Sequence, residues 1–245
     1  MKKPRKIVVT GASSGIGRRC CERLLAQGHT VIGIARRTDT LDNPNFVPVA
    51  IDLAAPSAAA ELTAVARNHG DVDAVISNAG SGHFGSLENF SAQQICESIQ
   101  LNLISQILVA HAFVDVLKRQ PRSDLVFLGS EAALSGARQG SLYCAAKFGV
   151  RGFAQALREE CARRNLHVGI VNPGMVRSEF FDRLDFAPGD ATDNSLQVDD
   201  ADHRQRNRHE NDERFAQRVE LCDQQQQDDA NCDGKFVGDG LVCLA

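Results

Sequence analysis

The chain has a single tyrosine, Tyr143, with Lys147 four residues after it and Ser130 thirteen residues before it. Positions four apart on a helix share a face, so this spacing sets a phenol beside an ammonium. A cation next to a phenol favours the phenolate. Free tyrosine titrates near pH ~10, and acid–base work at neutral pH asks for a lowering of roughly 3 units, about 4 kcal/mol of differential stabilisation. Lys147 is placed to supply part of it. The plainer reading is a half-buried tyrosine and a solvated lysine on an ordinary helix.

The amino terminus adds a second chemistry. Residues 6–10, Lys-Ile-Val-Val-Thr, read as a short buried strand, followed at once by Gly11-Ala12-Ser13-Ser14-Gly15-Ile16-Gly17 and then by a helix through Gly28. A strand, a glycine turn and a helix form a dinucleotide cradle. Gly11 permits the turn, Gly15 lets the backbone approach a pyrophosphate, and Gly17 lets the helix pack closely while its N-terminus faces the anion. For glycines alone, a tight structural turn is the alternative. The next strand, Thr30 to Ala35, ends in Arg36-Arg37. An acidic residue there would hold a ribose 2′-hydroxyl, whereas arginine accepts the 2′-phosphate of NADP. The expected cofactor is therefore NADP (NADPH) rather than NAD, the alternative being an ordinary solvated arginine pair.

With these elements in place, the chain resembles the short-chain dehydrogenase/reductase family from about residue 5 to residue 200. The family's Thr-Gly-x-x-x-Gly-x-Gly turn corresponds to Thr10 to Gly17, with Ser13, Ser14 and Ile16 inside it. Its Asn-Asn-Ala-Gly segment corresponds to Ser77-Asn78-Ala79-Gly80, with the first asparagine replaced by serine. By the same resemblance Asp52, with Leu53 beside it, meets the adenine, and Pro173, Gly174, Val176 and Ser178 belong to the segment that closes over the nicotinamide. Asn102, Ser130, Tyr143 and Lys147 match the family's catalytic tetrad. The resemblance implies hydride transfer between the nicotinamide and a carbonyl or secondary alcohol carbon. Tyr143 would exchange the proton, Ser130 would hold the substrate oxygen, Lys147 would bind the nicotinamide ribose and depress the tyrosine pKa, and Asn102 would keep a water relay. For Ser130 the plainer reading is a serine capping a turn, and for Asn102 a helix-kink residue bonded to backbone.

Apolar runs at 6–10, 30–35, 47–51, 72–76, 124–129 and 167–172 alternate with helical stretches. This pattern predicts an α/β fold, and with the resemblance a Rossmann-like doubly wound parallel sheet in a single domain over residues 1–200. A ligand then lies outside the carboxyl ends of the strands, and Asn78, Ser130 and Pro173 each follow one.

The chain of 245 residues carries a net charge of −4, which suggests neither nucleic acid nor an acidic membrane as partner. The cluster Lys2, Lys3, Arg5 and Lys6 is not followed by the apolar stretch of a signal peptide, and no run reads as long enough to span a bilayer. The eight cysteines are scattered without Cys-x-x-Cys spacing, so no metal site is expected and reduced thiols in a cytoplasm are the simplest account. Cys144 reads as a buried helix cysteine. Phe180, Phe181, Leu184 and Phe186, by family position a lid, suggest a small apolar substrate; His83, Phe84 and Arg138 are placed to line its other side, the plainer reading being ordinary loop residues. A homo-oligomer is compatible with the family.

Residues 201–245 depart from the pattern. After Val198-Asp199-Asp200 the chain turns to Ala-Asp-His-Arg-Gln-Arg-Asn-Arg at 201–208 and stays polar through Gln224 to Asp229. Such a composition does not readily offset the entropy of ordering it. A one-nucleotide slip near codon 201 would turn Asp, His and Asn codons into Ile, Met or Thr codons; the alternative is a genuine hydrophilic tail, with a short strand at Phe236–Val242. Two function classes follow: an active NADP-dependent oxidoreductase, or a catalytically weak nucleotide-binding protein with a damaged carboxyl-terminal region. A sugar-nucleotide epimerase or dehydratase also uses Tyr-x-x-x-Lys, but such enzymes usually need a larger substrate domain than this length allows.

Overall fold

The computed structural model describes residues 3–37 and 41–174, and the backbone of Gln197 and Val198. Val176, Ser178, the stretch from Phe180 to Asp190 and all of 201–245 lie outside the described residues.

Six parallel strands form the sheet: β1 (Lys6–Thr10), β2 (Thr30–Ala35), β3 (Phe46–Ala50), β4 (Ala74–Ser77), β5 (Ser123–Leu128) and β6 (Leu166–Asn172). A two-residue antiparallel strand, β7 (Gln197–Val198), adds to β6. The order β3-β2-β1-β4-β5-β6-β7 reverses direction between β1 and β4, where the crevice of a doubly wound sheet opens. The expected strands are all present, with ends shifted by a residue or two. β4 starts at Ala74 rather than Val72 because Val72 N–H turns back to the His69 carbonyl, 3.1 Å away. Pro48 sits within β3, which pairs only with β2; an edge strand tolerates the missing amide.

Both faces of the sheet are buried, and alternate residues serve opposite faces. Val8, Ile32, Ile34, Leu125, Phe127, Val168 and Ile170 join one apolar cluster, covered by α2 (Ala58–Asn68), α4 (Ser105–Lys118) and α5 (Ser141–Cys161). Ile7, Val9, Val31, Ile76, Val126, Leu128 and Val171 join the other, against Cys20, Cys21, Leu24 and Leu25 of α1 (Gly15–Ala26). All five cysteines among the described residues are free thiols. Helix α3 (Ala92–Ile99) opens with a capping box between Ser91 and Gln94, and runs through a π-helical stretch, Gln100–Ile104, into α4. The continuous run Ala92–Lys118 has 27 residues and a window of mean hydropathy 1.4, so one helix is long and apolar enough to cross a bilayer, contrary to the sequence reading. In the fold its Val109, Phe113, Val116 and Leu117 are core residues.

The amino-terminal ends of the central strands are tied by charge. Arg5 Nε meets Asp73 Oδ1 at 3.0 Å, its Nη2 donates to the Asp73 carbonyl at 2.8 Å, and its Nη1 meets Asp124 Oδ2 at 2.6 Å. One guanidinium thus bridges the segments entering β1, β4 and β5. Removing one partner of a shielded ion pair leaves the others uncompensated, which costs more than the pair contributes. Arg5→Leu is expected to lose about 2–3 kcal/mol in urea unfolding, and Arg5→Leu/Asp73→Asn/Asp124→Asn to regain most of it; equal stability of Arg5→Leu and wild type would show the bridge to be idle.

Candidate active site

The glycine turn is built by what it must avoid. A Cβ on Gly17 would overlap the Gly11 carbonyl oxygen and stand 2.5 Å from Asn78 Nδ2, and one on Gly11, at φ +69°, would meet the same Nδ2 at 2.7 Å. Asn78 fills the space that side chains there would take. Its Nδ2 donates to the Thr10 carbonyl at 2.9 Å, while Thr10 Oγ1 accepts the backbone N–H groups of Asn78 (2.9 Å) and Ala79 (3.0 Å). The end of β1 is thereby latched to the end of β4 at the crevice. Ser14 caps α1 in an extended conformation with no side-chain hydrogen bond to the first amides, and the first turn holds no acidic residue. Those amides remain available to an anion, so the cradle fits a pyrophosphate. Ser13, Gly15 and Ile16 lie in the same half-buried turn.

The Gly11 and Ala12 amides both donate to the Ile34 carbonyl, at 2.8 and 3.3 Å, which holds the turn against the end of β2. Arg36 and Arg37 follow there, both exposed. Ile51 N–H donates to the Ala35 carbonyl at 3.0 Å and so brings Asp52 and buried Leu53 to the same edge, with Asp52 Oδ1 accepting from Ala54 N–H at 3.0 Å.

Asn102 sits in the π-helical stretch and is fully buried. Its Nδ2 donates to the Ser98 carbonyl at 3.0 Å and its Oδ1 accepts from Ser81 N–H at 2.9 Å, which anchors the chain just after Gly80. A π-bulge is a costly irregularity that recurs at functional positions, and here it turns one asparagine toward the β4 turn. A Cβ on Gly80 would lie 2.9 Å from Asn102 Oδ1 and 3.9 Å from Lys147 Nζ, so these groups crowd together.

Ser130 follows β5 and starts a 3-10 turn, its Oγ accepting from Ala132 N–H at 3.2 Å. The turn-capping role and the proximity to Tyr143 hold together, since the Tyr143 phenol is hydrogen-bonded to Ser130. Lys147 Nζ lies 5.6 Å from the centre of the Tyr143 ring and donates to the Leu128 carbonyl at 2.7 Å. Pro173 and Gly174 reach the same place: Glu131 N–H donates to the Pro173 carbonyl at 3.2 Å, and a Cβ on Gly174 would stand 3.2 Å from Glu131 Oε1.

The electrostatics differ from the expectation that Lys147 draws the tyrosine down. Burial dominates: it pushes the Tyr143 phenol up to about 12, the Ser130 hydrogen bond opposing. Burial also brings Lys147 down to about 8. The lysine has 4% of its surface exposed, so its cation is poorly solvated. The phenol in this structure is held as a proton donor.

Several supporting contacts were not foreseen, among them those of Ser77 and Asn172, which open two of the family-like segments. Ser77, in place of the family's first asparagine, donates from Oγ to Gln106 Oε1, and Gln106 Nε2 donates to the Ala79 carbonyl at 2.9 Å. Buried Asn172 accepts Ser130 N–H through Oδ1 at 3.2 Å and fills the space beside Gly129. The signal for Gln106 was a lone amide within the apolar run of α4; for Asn172 it was an asparagine ending a β-branched strand.

A profile of the short chain dehydrogenase family matches residues 5–186, which contain the six parallel strands and every candidate residue above. The chain belongs to the short-chain dehydrogenase family. An oxidoreductase of the fungus Botryotinia fuckeliana is 29% identical over 182 residues, 70% of this chain and 66% of that protein, so the match leaves about a third of the fungal protein uncovered. An uncharacterized oxidoreductase of Mycobacterium tuberculosis is 30% identical over 191 residues, 71% of this chain and 74% of that protein. Among solved structures, a metagenomic short-chain oxidoreductase in complex with NADP is 30% identical with a TM-score of 0.64, covering 71% of this chain and 83% of that one.

The lysine's burial sets a sign that can be measured. Its folded pKa of about 8 lies below its ordinary 10.5, so between these values the unfolded chain binds the extra proton and stability rises with pH. Below about pH 8 the full cost of burying the cation is present. Lys147→Met is therefore expected to exceed the wild type in stability at pH 7 by about 1–3 kcal/mol, with the gap closing toward pH 10.5. Tyr143 lowers stability above pH 10 in both proteins and drops out of the difference. Urea unfolding across that range checks it, and a gap independent of pH would be the contrary result.

Proposed function

We propose that the protein is an NADP-dependent oxidoreductase that reduces a small, apolar carbonyl compound, or oxidises the corresponding alcohol. The observation that carries this reading is the meeting of Ser130, Tyr143 and Lys147 beside the Asn78–Gly80 turn.

Gly11 to Gly17 and the open amides of α1 would hold the pyrophosphate, Arg36 and Arg37 the 2′-phosphate, and Asp52 and Leu53 the adenine side. Lys147 would hold the nicotinamide ribose through its buried ammonium, exchanging part of its contact with Leu128 for ribose hydroxyls. When bound, the nicotinamide supplies or accepts the hydride. Ser130 and Tyr143 converge on one substrate oxygen, the serine orienting it and the phenol donating the proton in reduction. A phenol kept protonated by burial suits the reductive direction, and Lys147 helps stabilise the phenolate left behind. Asn102, fixed at both ends of its amide, keeps the π-helical backbone open for returning a proton from solvent. The free thiols of Cys20, Cys21, Cys96, Cys144 and Cys161 suit a reducing cytoplasm.

The mechanism is tested with Tyr143→Phe, which keeps the ring and removes the proton. Turnover of a carbonyl substrate is expected to fall by about 10²–10⁴-fold while the dissociation constant of NADPH stays unchanged; equal turnover removes the proton-transfer role. Cofactor choice is tested by following thermal unfolding in NADPH and in NADH, since a ligand of the folded state raises its stability. NADPH is expected to give the larger shift, and Arg36→Ala/Arg37→Ala to abolish the difference; a larger shift with NADH would overturn the preference. The alternative, a weak nucleotide-binding protein, predicts the NADPH shift without turnover of any carbonyl compound.

A further inference from the structure

Asn172 closes β6 and is fully buried. Its backbone is fixed twice, as the last residue of a strand and by Pro173, which restricts the residue before it to extended conformations. The carboxamide on that rigid base is used at one end only. Its Oδ1 accepts Ser130 N–H at 3.2 Å, whereas its Nδ2 is buried without a hydrogen-bond partner among the described residues. An orphaned buried donor is costly and uncommon, and an apolar side chain of the same shape would avoid the cost. The residue type is therefore explained by its acceptor.

That acceptor sits where the pairing of β5 with β6 runs out. Gly129 N–H donates to the Val171 carbonyl at 2.7 Å and Glu131 N–H to the Pro173 carbonyl at 3.2 Å, and the amide between them, that of Ser130, donates to the Asn172 side chain. A Cβ on Gly129 would overlap Asn172 Oδ1, so the carboxamide lies flush against the Gly129–Ser130 backbone. Ser130 itself is plainly extended, with φ −174° and ψ 160°, and its hydroxyl is placed by contacts rather than by strain. Its Oγ accepts Ala132 N–H at 3.2 Å, which leaves the hydroxyl proton to be aimed elsewhere, and the Tyr143 phenol is hydrogen-bonded to it.

We propose that Asn172 is a positioning residue, which grips the Ser130 amide and so keeps the serine hydroxyl against the Tyr143 phenol. For its effect on turnover the inference rests on the carbonyl-reducing reading of Ser130 and Tyr143. Asn172 acts through Ser130 and not on substrate or cofactor. Without its acceptor, the Ser130 N–H turns to water and the start of the 3-10 turn is held by fewer contacts. The hydrogen bond that opposes the burial-driven rise of the phenol then weakens. A misplacement of about 1 Å from a change away from the chemistry can cost on the order of a hundredfold in rate. The loss of Asn172 therefore falls on kcat.

Because the chain has one tyrosine, labelling tyrosine at Cζ with an NMR-visible carbon isotope gives a single resonance that reports the Tyr143 hydroxyl and its hydrogen bond. The test compares wild type, Ser130→Ala, Asn172→Leu, Asn172→Ala and Ser130→Ala/Asn172→Leu, each as the full chain, by that resonance and by the reduction of cyclohexanone with NADPH. Each Asn172 change is expected to move the resonance in the same direction as Ser130→Ala, and the double variant to move it no further. Asn172→Leu is expected to lower kcat roughly tenfold to a hundredfold, with the dissociation constant of NADPH unchanged and no added loss where Ser130 is already replaced. Asn172→Ala carries the comparison if Asn172→Leu fails to fold, and fast hydrogen exchange of Ser130 N–H in wild type overturns the grip even if neither folds. An unmoved resonance overturns the positioning, as does an effect that adds fully to that of Ser130→Ala, or an unchanged kcat in an active enzyme. The resonance needs no substrate. Its shift in the Asn172 variants, without turnover of any ketone by wild type, upholds the grip on Ser130 and sinks the reductase reading.

Discussion

Thr10 accepts three hydrogen bonds, two from Asn78 and one from Ala79, across the point where the sheet reverses its winding, and most of the site hangs on them. The Thr10 hydroxyl accepts the amides of part-buried Asn78 and buried Ala79, and leaving a buried amide without a partner costs on the order of 1–3 kcal/mol. The Asn78 amide then occupies the hollow between Gly11 and Gly17, which explains why neither position has room for a Cβ. The glycine turn and the β4 turn are therefore one packed unit.

From that unit the remaining groups are placed by successive contacts. Gly80 sits against Asn102 and near Lys147, Asn102 holds Ser81, and Lys147 returns to the end of β5, where Ser130 begins its turn. The ammonium is the least comfortable member, buried and donating to the Leu128 carbonyl. A site that keeps an under-solvated cation gives up folding stability for affinity, because an incoming hydroxyl or anion relieves the cost. The same burial disfavours the charged form of both groups, bringing the lysine down and pushing the phenol up.

Much of this arrangement was legible in the chain because it is local. Tyr143 and Lys147 share a helix face, the glycines sit in one turn, and the alternation of Ile7, Val8 and Val9 between two cores follows from strand periodicity. Residues joined across the fold were harder to read. Gln106 stands 29 positions from its partner Ser77, and Asn172 stands 42 from Ser130, so neither contact leaves a spacing signature. The tyrosine's surroundings were harder to read for a related reason: the lysine neighbour is visible in sequence, whereas the desolvation that raises the phenol in this fold comes from the whole surrounding structure.

The Arg5 bridge lies at the opposite end of β1 from Thr10 and the glycine turn. β1 rises about 3.3 Å per residue, so its five residues separate the ion cluster from Thr10 by some 13–17 Å. Free-energy effects at sites more than about 7–10 Å apart and without shared partners usually add. The Arg5 bridge thus contributes to folding stability at a distance from the crevice. Sequence drift at the first leaves the second free to keep or change its ligand, so that related chains can differ widely in robustness while presenting the same crevice.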